Sequence, residues 1–259
     1  GGGVKNWKTL LASLWLCGCA AVPQGGDDAS GRTADSESGQ RARAFTDLAS
    51  AYYTRGQYKV ALDELRKAIS AENRYGPAYN VYGLIYMELA EDKLAEENFR
   101  RAIELDRNDS EARNNLGWFL CTRGRYDEGL EQFAAALRNP LYAYPERAMA
   151  NAGLCAEQKG DLALAETNLQ KSLKLQPDNP TTLLKLAGLR FRQGQVTEAQ
   201  RLLARHAELA PPTAESLWLG VRVERKLGDR AQEAVYGQQL RKRFPDADET
   251  RRLLAGQYE

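Results

Sequence analysis

The chain has 259 residues, 43% hydrophobic, 8% aromatic and 27% charged, which is ample apolar material for one or two folded domains. Its 36 basic and 35 acidic side chains are spread along the whole length and leave a formal net charge of +1, which argues against a nucleic-acid partner. One histidine, no phosphate-cradling glycine loop, no zinc-type cysteine spacing and no HExxH motif give no foothold for a metal, a cofactor or a small-molecule substrate.

At the N-terminal end, Lys5 and Lys8 precede a short apolar run of Leu10, Leu11, Leu14, Trp15 and Leu16. That run is too short to span a bilayer as a helix. It ends in Leu16-Cys17-Gly18-Cys19, which resembles the bacterial lipobox, where a small residue precedes a cysteine that is acylated and becomes the mature N-terminus. Residues 1–18 therefore read as a lipoprotein signal peptide and Cys19 as the lipidated residue, although Cys17 stands where the motif usually has a small side chain. Each buried methylene of an acyl chain contributes about 0.8 kcal/mol, so two or three chains hold a protein on a membrane that it does not cross. Ala20 and Ala21 follow Cys19, with no aspartate to resemble the inner-membrane retention signal. The expected location is the outer membrane, lipid-anchored and facing the periplasm. From Val22 to about Gln40, Gly, Ser, Asp and Thr predominate, a composition that cannot offset the entropy of ordering it. Residues 19–41 are read as the lipidated cysteine and a flexible tether.

Beyond the tether a period emerges. Gly56, Ala90 and Gly124 are 34 residues apart, and Gly160, Gly194 and Gly228 repeat the interval after a single step of 36. Small residues Ala49, Gly83, Gly117, Gly153 and Ala187 keep the register, as do Ala61, Ala95, Gly129, Ala165 and Ala199. Large residues Leu65, Phe99, Phe133, Leu169 and Leu203 fall four positions beyond the second small residue, and Pro177, Pro211 and Pro245 form a last ladder. Small side chains let two helices approach, a glycine turns the chain between them, and a proline ends the second helix. This spacing resembles the tetratricopeptide repeat (TPR). The predicted fold is all-α, a right-handed TPR superhelix of six helix-turn-helix repeats plus a short C-terminal capping helix around Leu253 and Leu254. The TPR domain is predicted over 42–259, with repeats at about 42–75, 76–109, 110–145, 146–179, 180–213 and 214–247. The last is degenerate, with Val221 and Glu233 at the small positions.

Catalytic chemistry finds little purchase in this pattern. His206 shares its register with Ala68, Ala102, Ala136 and Ser172, an interior position that favours a packed structural histidine. Glu96, Glu97, Asp127 and Glu128 fall on helix faces, where solvation and ion pairing are the default roles. The chain is therefore read as non-enzymatic. Cys121 and Cys155 lie on the first helices of repeats three and four. In an oxidising compartment they either bridge the two hairpins, adding about 2 to 4 kcal/mol, or remain two buried thiols, because their registers differ by two residues.

First helices of such repeats line a concave groove, and helical spacing from the small positions selects the residues that face it. These are Tyr53, Asn80, Leu84, Met87, Asn114, Trp118, Leu154, Leu184, Phe191 and Trp218. Asparagines can hydrogen-bond a peptide backbone, and the apolar members can accept apolar side chains of a partner segment. A second candidate is the loop Asn139-Pro140-Leu141-Tyr142-Ala143-Tyr144-Pro145, where Tyr142 and Tyr144 stand between prolines. The basic cluster Arg241, Lys242, Arg243, Arg251 and Arg252 reads as a solvated face.

Three stretches carry a narrower likeness: Asn114-Asn115-Leu116-Gly117-Trp118-Phe119-Leu120-Cys121, the Asn139–Pro145 loop, and Gly153-Leu154-Cys155 followed by Gln158-Lys159-Gly160-Asp161. Together they resemble the PilF/PilW family of type IV pilus biogenesis and stability lipoproteins. The resemblance implies a pilotin-like protein that helps PilQ-like secretin subunits reach the outer membrane and multimerise. It also implies a bridge between Cys121 and Cys155. A TPR lipoprotein adaptor for peptidoglycan hydrolases or a periplasmic protease would share anchor, tether and groove.

Overall fold

The structure, a computed structural model, describes residues 36–258, so the lipobox and most of the expected tether lie outside the described residues. Within them are thirteen helices and no strand. Six hairpins follow one another: α1 (Glu37–Thr54) with α2 (Tyr58–Ala71), α3 (Gly76–Glu88) with α4 (Asp92–Leu105), and α5 (Ser110–Thr122) with α6 (Tyr126–Leu137). Then come α7 (Pro145–Lys159) with α8 (Leu162–Leu175), α9 (Pro180–Arg192) with α10 (Val196–Leu209), and α11 (Ala214–Leu227) with α12 (Arg230–Arg243). A short α13 (Asp248–Ala255) closes the stack against α11 and α12.

The glycine ladder marks one recurrent turn. Gly56, Gly124, Gly160, Gly194 and Gly228 all have positive φ, and each sits just past the end of a first helix. Around Gly56 its amide donates to the Tyr53 carbonyl while the Gln57 amide donates to that of Tyr52, the paired bonds of a Schellman cap. The same pair recurs at Gly124 and Arg125, Gly160 and Asp161, Gly194 and Gln195, and Gly228 and Asp229. Ala90 takes this position in repeat two at φ 57°, paying with steric strain that glycine would avoid. Pro177, Pro211 and Pro245 each lie two residues beyond the end of a second helix, where no further helical amide is needed.

Small positions do what their spacing predicts. A methyl group on Gly83 would lie 2.5 Å from the Phe99 ring, on Gly117 2.9 Å from Phe133, and on Gly153 2.8 Å from Leu169. Phe99, Phe133 and Leu169 are fully buried, so the glycines are the hollows that the large residues fill.

Two expectations need correction. α1 begins at Glu37, inside the stretch read as tether: Ser36 caps it by accepting from the Gly39 amide at 2.9 Å, and the Ser38 hydroxyl donates to Glu72 at the end of α2. A polar composition hid a capped turn that docks on its own hairpin partner. In the last repeat the small position is Gly220, not Val221: a methyl there would meet Tyr236 at 2.9 Å, while Val221 is buried core. A one-residue slip lets a bulky valine pack inward and keeps a glycine beneath the aromatic ring.

Candidate functional site

The odd-numbered helices lie side by side, α1 against α3, α3 against α5, α5 against α7 and α9 against α11, while α7 and α9 are less closely apposed. Residues in equal register on these helices form columns. Leu84, Trp118, Leu154, Gly188 and Arg222 make one, and Asn80, Asn114, Ala150, Leu184 and Trp218 make another. Between α7 and α9 the columns open into a pocket of about 340 Å³ walled by Trp118, Leu154, Leu184 and Trp218. It exists because Gly188 carries no side chain where neighbouring repeats place tryptophan, leucine or arginine, and space is open around its missing methyl. A glycine inside a helix costs about 1 kcal/mol relative to alanine, so the opening has a stability cost. Its rim is charged but mostly paired, Lys185 with Glu215 at 2.6 Å and Arg192 with Glu157.

Other residues expected in the groove have different surroundings. Asn80 and Asn114 are buried, and each accepts from an asparagine of the following odd-numbered helix: Asn115 donates to the Asn80 oxygen at 3.1 Å, and Asn151 donates to that of Asn114 at 3.0 Å. This ladder ties α3, α5 and α7 together and commits the amide oxygens that were expected to grasp a peptide. Leu84 and Met87 are half-buried against the cluster around Phe99 and Phe119, away from the pocket. Tyr53 is half-buried beside Tyr58, and burial, with Glu88 nearby, raises its phenol above the usual range. Phe191 lies under the Arg222 guanidinium, 4.6 Å from ring centre to charge.

Beyond α13, Gly256 turns the chain back with φ 69° and lays Tyr258 into the same groove. The Tyr258 ring stacks on Trp218 with centroids 5.8 Å apart, the Arg225 guanidinium sits 3.9 Å from its centre, and Arg222 Nε donates to its carbonyl at 2.9 Å.

In the loop between repeats three and four the two tyrosines part company. Tyr142 is half-buried, its hydroxyl 3.3 Å from Glu111, and burial followed by the Glu111 charge raises its pKa. Tyr144 is 54% exposed with the Arg147 guanidinium 4.9 Å from its ring, and Leu141 beside it is 88% exposed. Leu141 and Tyr144 are the large exposed side chains of this loop.

Cys121 and Cys155 form a disulfide between α5 and α7, with Cα atoms 5.6 Å apart. Adjacent helices meet through opposite sides, and a two-residue offset turns a side chain by about 200°, so the register difference is what brings the sulfurs face to face. Gly129 stands where repeats one, two, four and five have alanine, and the missing methyl leaves room for the Cys121 sulfur. His206 is buried, its Nδ1–H donating to the Pro180 carbonyl at 2.9 Å, a structural bond from α10 to the start of α9. Glu96 accepts from Arg100 and Arg125, each at 2.6 Å, and Lys159 pairs with Asp127 at 2.6 Å, linking successive repeats.

Tetratricopeptide repeat profiles match residues 42–75, 76–109, 98–131, 122–180 and 156–218. Over 252 residues the chain is 29% identical to the type IV pilus assembly protein PilF of Pseudomonas aeruginosa, spanning 97% of this chain and 98% of that protein. A solved structure of Pseudomonas aeruginosa PilF superposes with a TM-score of 0.79 at 28% identity, covering 85% of this chain and all of that one. PilW, described as a widely conserved type IV pilus biogenesis factor, is 31% identical with a TM-score of 0.76, covering 83% of this chain and 99% of PilW. The chain belongs to the PilF/PilW family of tetratricopeptide repeat proteins. In this PilF/PilW-family chain the groove residues that repeat spacing did not single out include Gly188, Arg192, Arg222 and Tyr258. Gly188 and Arg222 continue the Leu84, Trp118 and Leu154 column, so extending that count would have found them. Tyr258 follows a glycine of the same left-handed type as the hairpin turns, but no periodicity tells where a returning segment lands.

Proposed function

We propose that this chain is a lipid-anchored, non-enzymatic scaffold that acts in type IV pilus biogenesis from the periplasmic face of the outer membrane. Its groove holds a segment of a PilQ-like secretin subunit while acyl chains on Cys19 confine it to the membrane surface, which raises the local concentration of subunits for ring assembly. Membership of a family whose relatives are named for pilus assembly supports the process, and the Leu16-Cys17-Gly18-Cys19 signature supports the anchor. The observation that carries the docking role is the pocket in which Trp118, Leu154, Leu184 and Trp218 converge around the vacancy left by Gly188. An apolar, water-accessible pocket with a paired charged rim suits a short peptide segment.

Two substitutions test the parts separately. Cys19→Ser is expected to abolish acylation and release the protein from the outer-membrane fraction; a Cys19→Ser protein that still fractionates with that membrane contradicts the anchor. Leu154→Glu, with circular dichroism confirming the fold, is expected to deplete secretin multimers on gels of unheated outer membranes. Multimers at the wild-type level contradict the docking role of the pocket.

A further inference from the structure

The basic end of the groove is already occupied, and its occupant shows what chemistry the site accepts. Phe191, Arg222, Arg225, Lys226 and Arg230 line one pocket together with Tyr258. Among the described residues, the only carboxylate that pairs with any of these four cations is Glu233, shared by Arg225 and Arg230 at 2.8 Å each. Among the described residues, Arg222 and Lys226 form no ion pair. Arg222 instead donates to a neutral carbonyl, that of Tyr258, and lies half-buried over an aromatic ring. Burial lowers its pKa, and Arg192 and Arg252 push in the same direction. A partly desolvated guanidinium bonded to an amide carbonyl binds a carboxylate more strongly, because the carboxylate adds an opposite charge and can accept two parallel N–H bonds. The aromatic part of the site is equally defined. Trp218 offers a flat face and Arg225 a cation above the same ring, a slot that any planar side chain fits.

Resting on the reading of the groove as a docking face, we propose that Tyr258 is a built-in, displaceable occupant. The groove's basic end takes a partner peptide in which an aromatic side chain lies next to carboxylates, the ring replacing that of Tyr258 and a carboxylate replacing its carbonyl on Arg222. Tyr258 is suited to exchange. It lies beyond the Gly256 turn and is only partly buried where it packs on the last repeat's core of Leu217, Trp218, Val221 and Leu240, and a single hydrogen bond, from Arg222 to its carbonyl, joins the two ring contacts that hold it. A resident occupant lowers the apparent affinity for any competitor by the fraction of time the site stands open. Only a segment with both ring and negative charge displaces it efficiently, which makes the arm a selectivity filter.

The test uses the full chain and a fluorescein-labelled heptapeptide of glycine and serine with a central tyrosine between two aspartates, followed by anisotropy. Controls replace both aspartates with asparagine, or the tyrosine with alanine. Tyr258→Ala is expected to bind the acidic tyrosine peptide about ten-fold more tightly than wild type, as expected if the arm fills the site about nine-tenths of the time. Arg222→Gln, folded by circular dichroism, is expected to lose about ten-fold, and both control peptides to bind weakly to every form. Equal or weaker binding by Tyr258→Ala overturns the displaceable occupant. Equal binding of the asparagine peptide, or no binding of any peptide, overturns the assigned chemistry. Secretin multimers that disappear with Leu154→Glu while the peptides fail would leave the docking role standing and remove this inference alone.

Discussion

Repeats three and four and the last repeat solve the same packing problem with different materials. At the centre, Gly117 and Gly153 receive fully buried Phe133 and Leu169, a disulfide joins α5 to α7, and the asparagine ladder crosses the same helices. At the end, Gly220 receives a half-buried Tyr236, and an aromatic arm lies over the groove. One region is locked by a covalent bond and by fully buried side chains with nowhere to go. The other is closed by rings that stay partly exposed. In a stack where each repeat touches only its neighbours, such local differences persist instead of averaging out.

Reduction should break the contrast most strongly. The bridge closes a loop of 34 residues, which in the chain-entropy estimate stabilises the fold by about 4 kcal/mol. Urea unfolding followed with and without dithiothreitol should show that loss, and Cys121→Ser with Cys155→Ser should match the reduced protein. An unchanged midpoint would mean that the centre holds without its staple.

Next in size is a paired glycine test. Gly117→Ala drives a methyl into buried Phe133 and the Gly129 carbonyl and is expected to cost about 2 kcal/mol. Gly220→Ala meets only a ring that can swing outward, and alanine's better helix propensity offsets about 1 kcal/mol, so the net change should be near zero. Equal losses measured by thermal unfolding would erase the distinction between the two regions.

The centre also carries a weak point of its own. Asp109 caps α5 by accepting the Ala112 amide at 2.8 Å, yet burial raises its carboxyl to about 6. A folded-state pKa above the unfolded one means that the native protein binds this proton more tightly. Asp109 therefore costs stability above pH 6, and the cost is relieved as pH falls from about 6 toward 4. Asp109→Asn keeps the cap without the charge and is expected to gain about 1 kcal/mol at pH 7.5 and to flatten that slope in denaturant titrations. A loss at pH 7.5 would show that the carboxylate is needed as a charge.

Those contrasts also explain what the sequence made legible. Turn glycines, small residues and terminal prolines each answer a local steric demand that recurs every 34 residues, so their ladders gave the hairpins, and Leu65, Phe99, Phe133, Leu169 and Leu203 gave the core. The start of α1 escaped because Ser36 acts through a cap and not through hydrophobicity. Gly220 escaped because a one-residue slip breaks a ladder without breaking the helix. In the groove, Trp118, Leu154, Leu184 and Trp218 do converge, whereas Asn80 and Asn114 are engaged by neighbouring asparagines, a pairing across helices that single-column counting does not see. Gly188 reads as a mild helix defect until its neighbours in space show that it makes the pocket.

Gly188→Leu separates docking from folding, because the space it fills is empty and helix propensity improves. In cells carrying this variant, with the protein at its normal level and a melting temperature at or above wild type, secretin multimers in the outer membrane are expected to fall to the level of a strain lacking the protein. Multimers at wild-type abundance, with the pocket filled and the fold intact, would contradict the claim that this groove is where the partner binds.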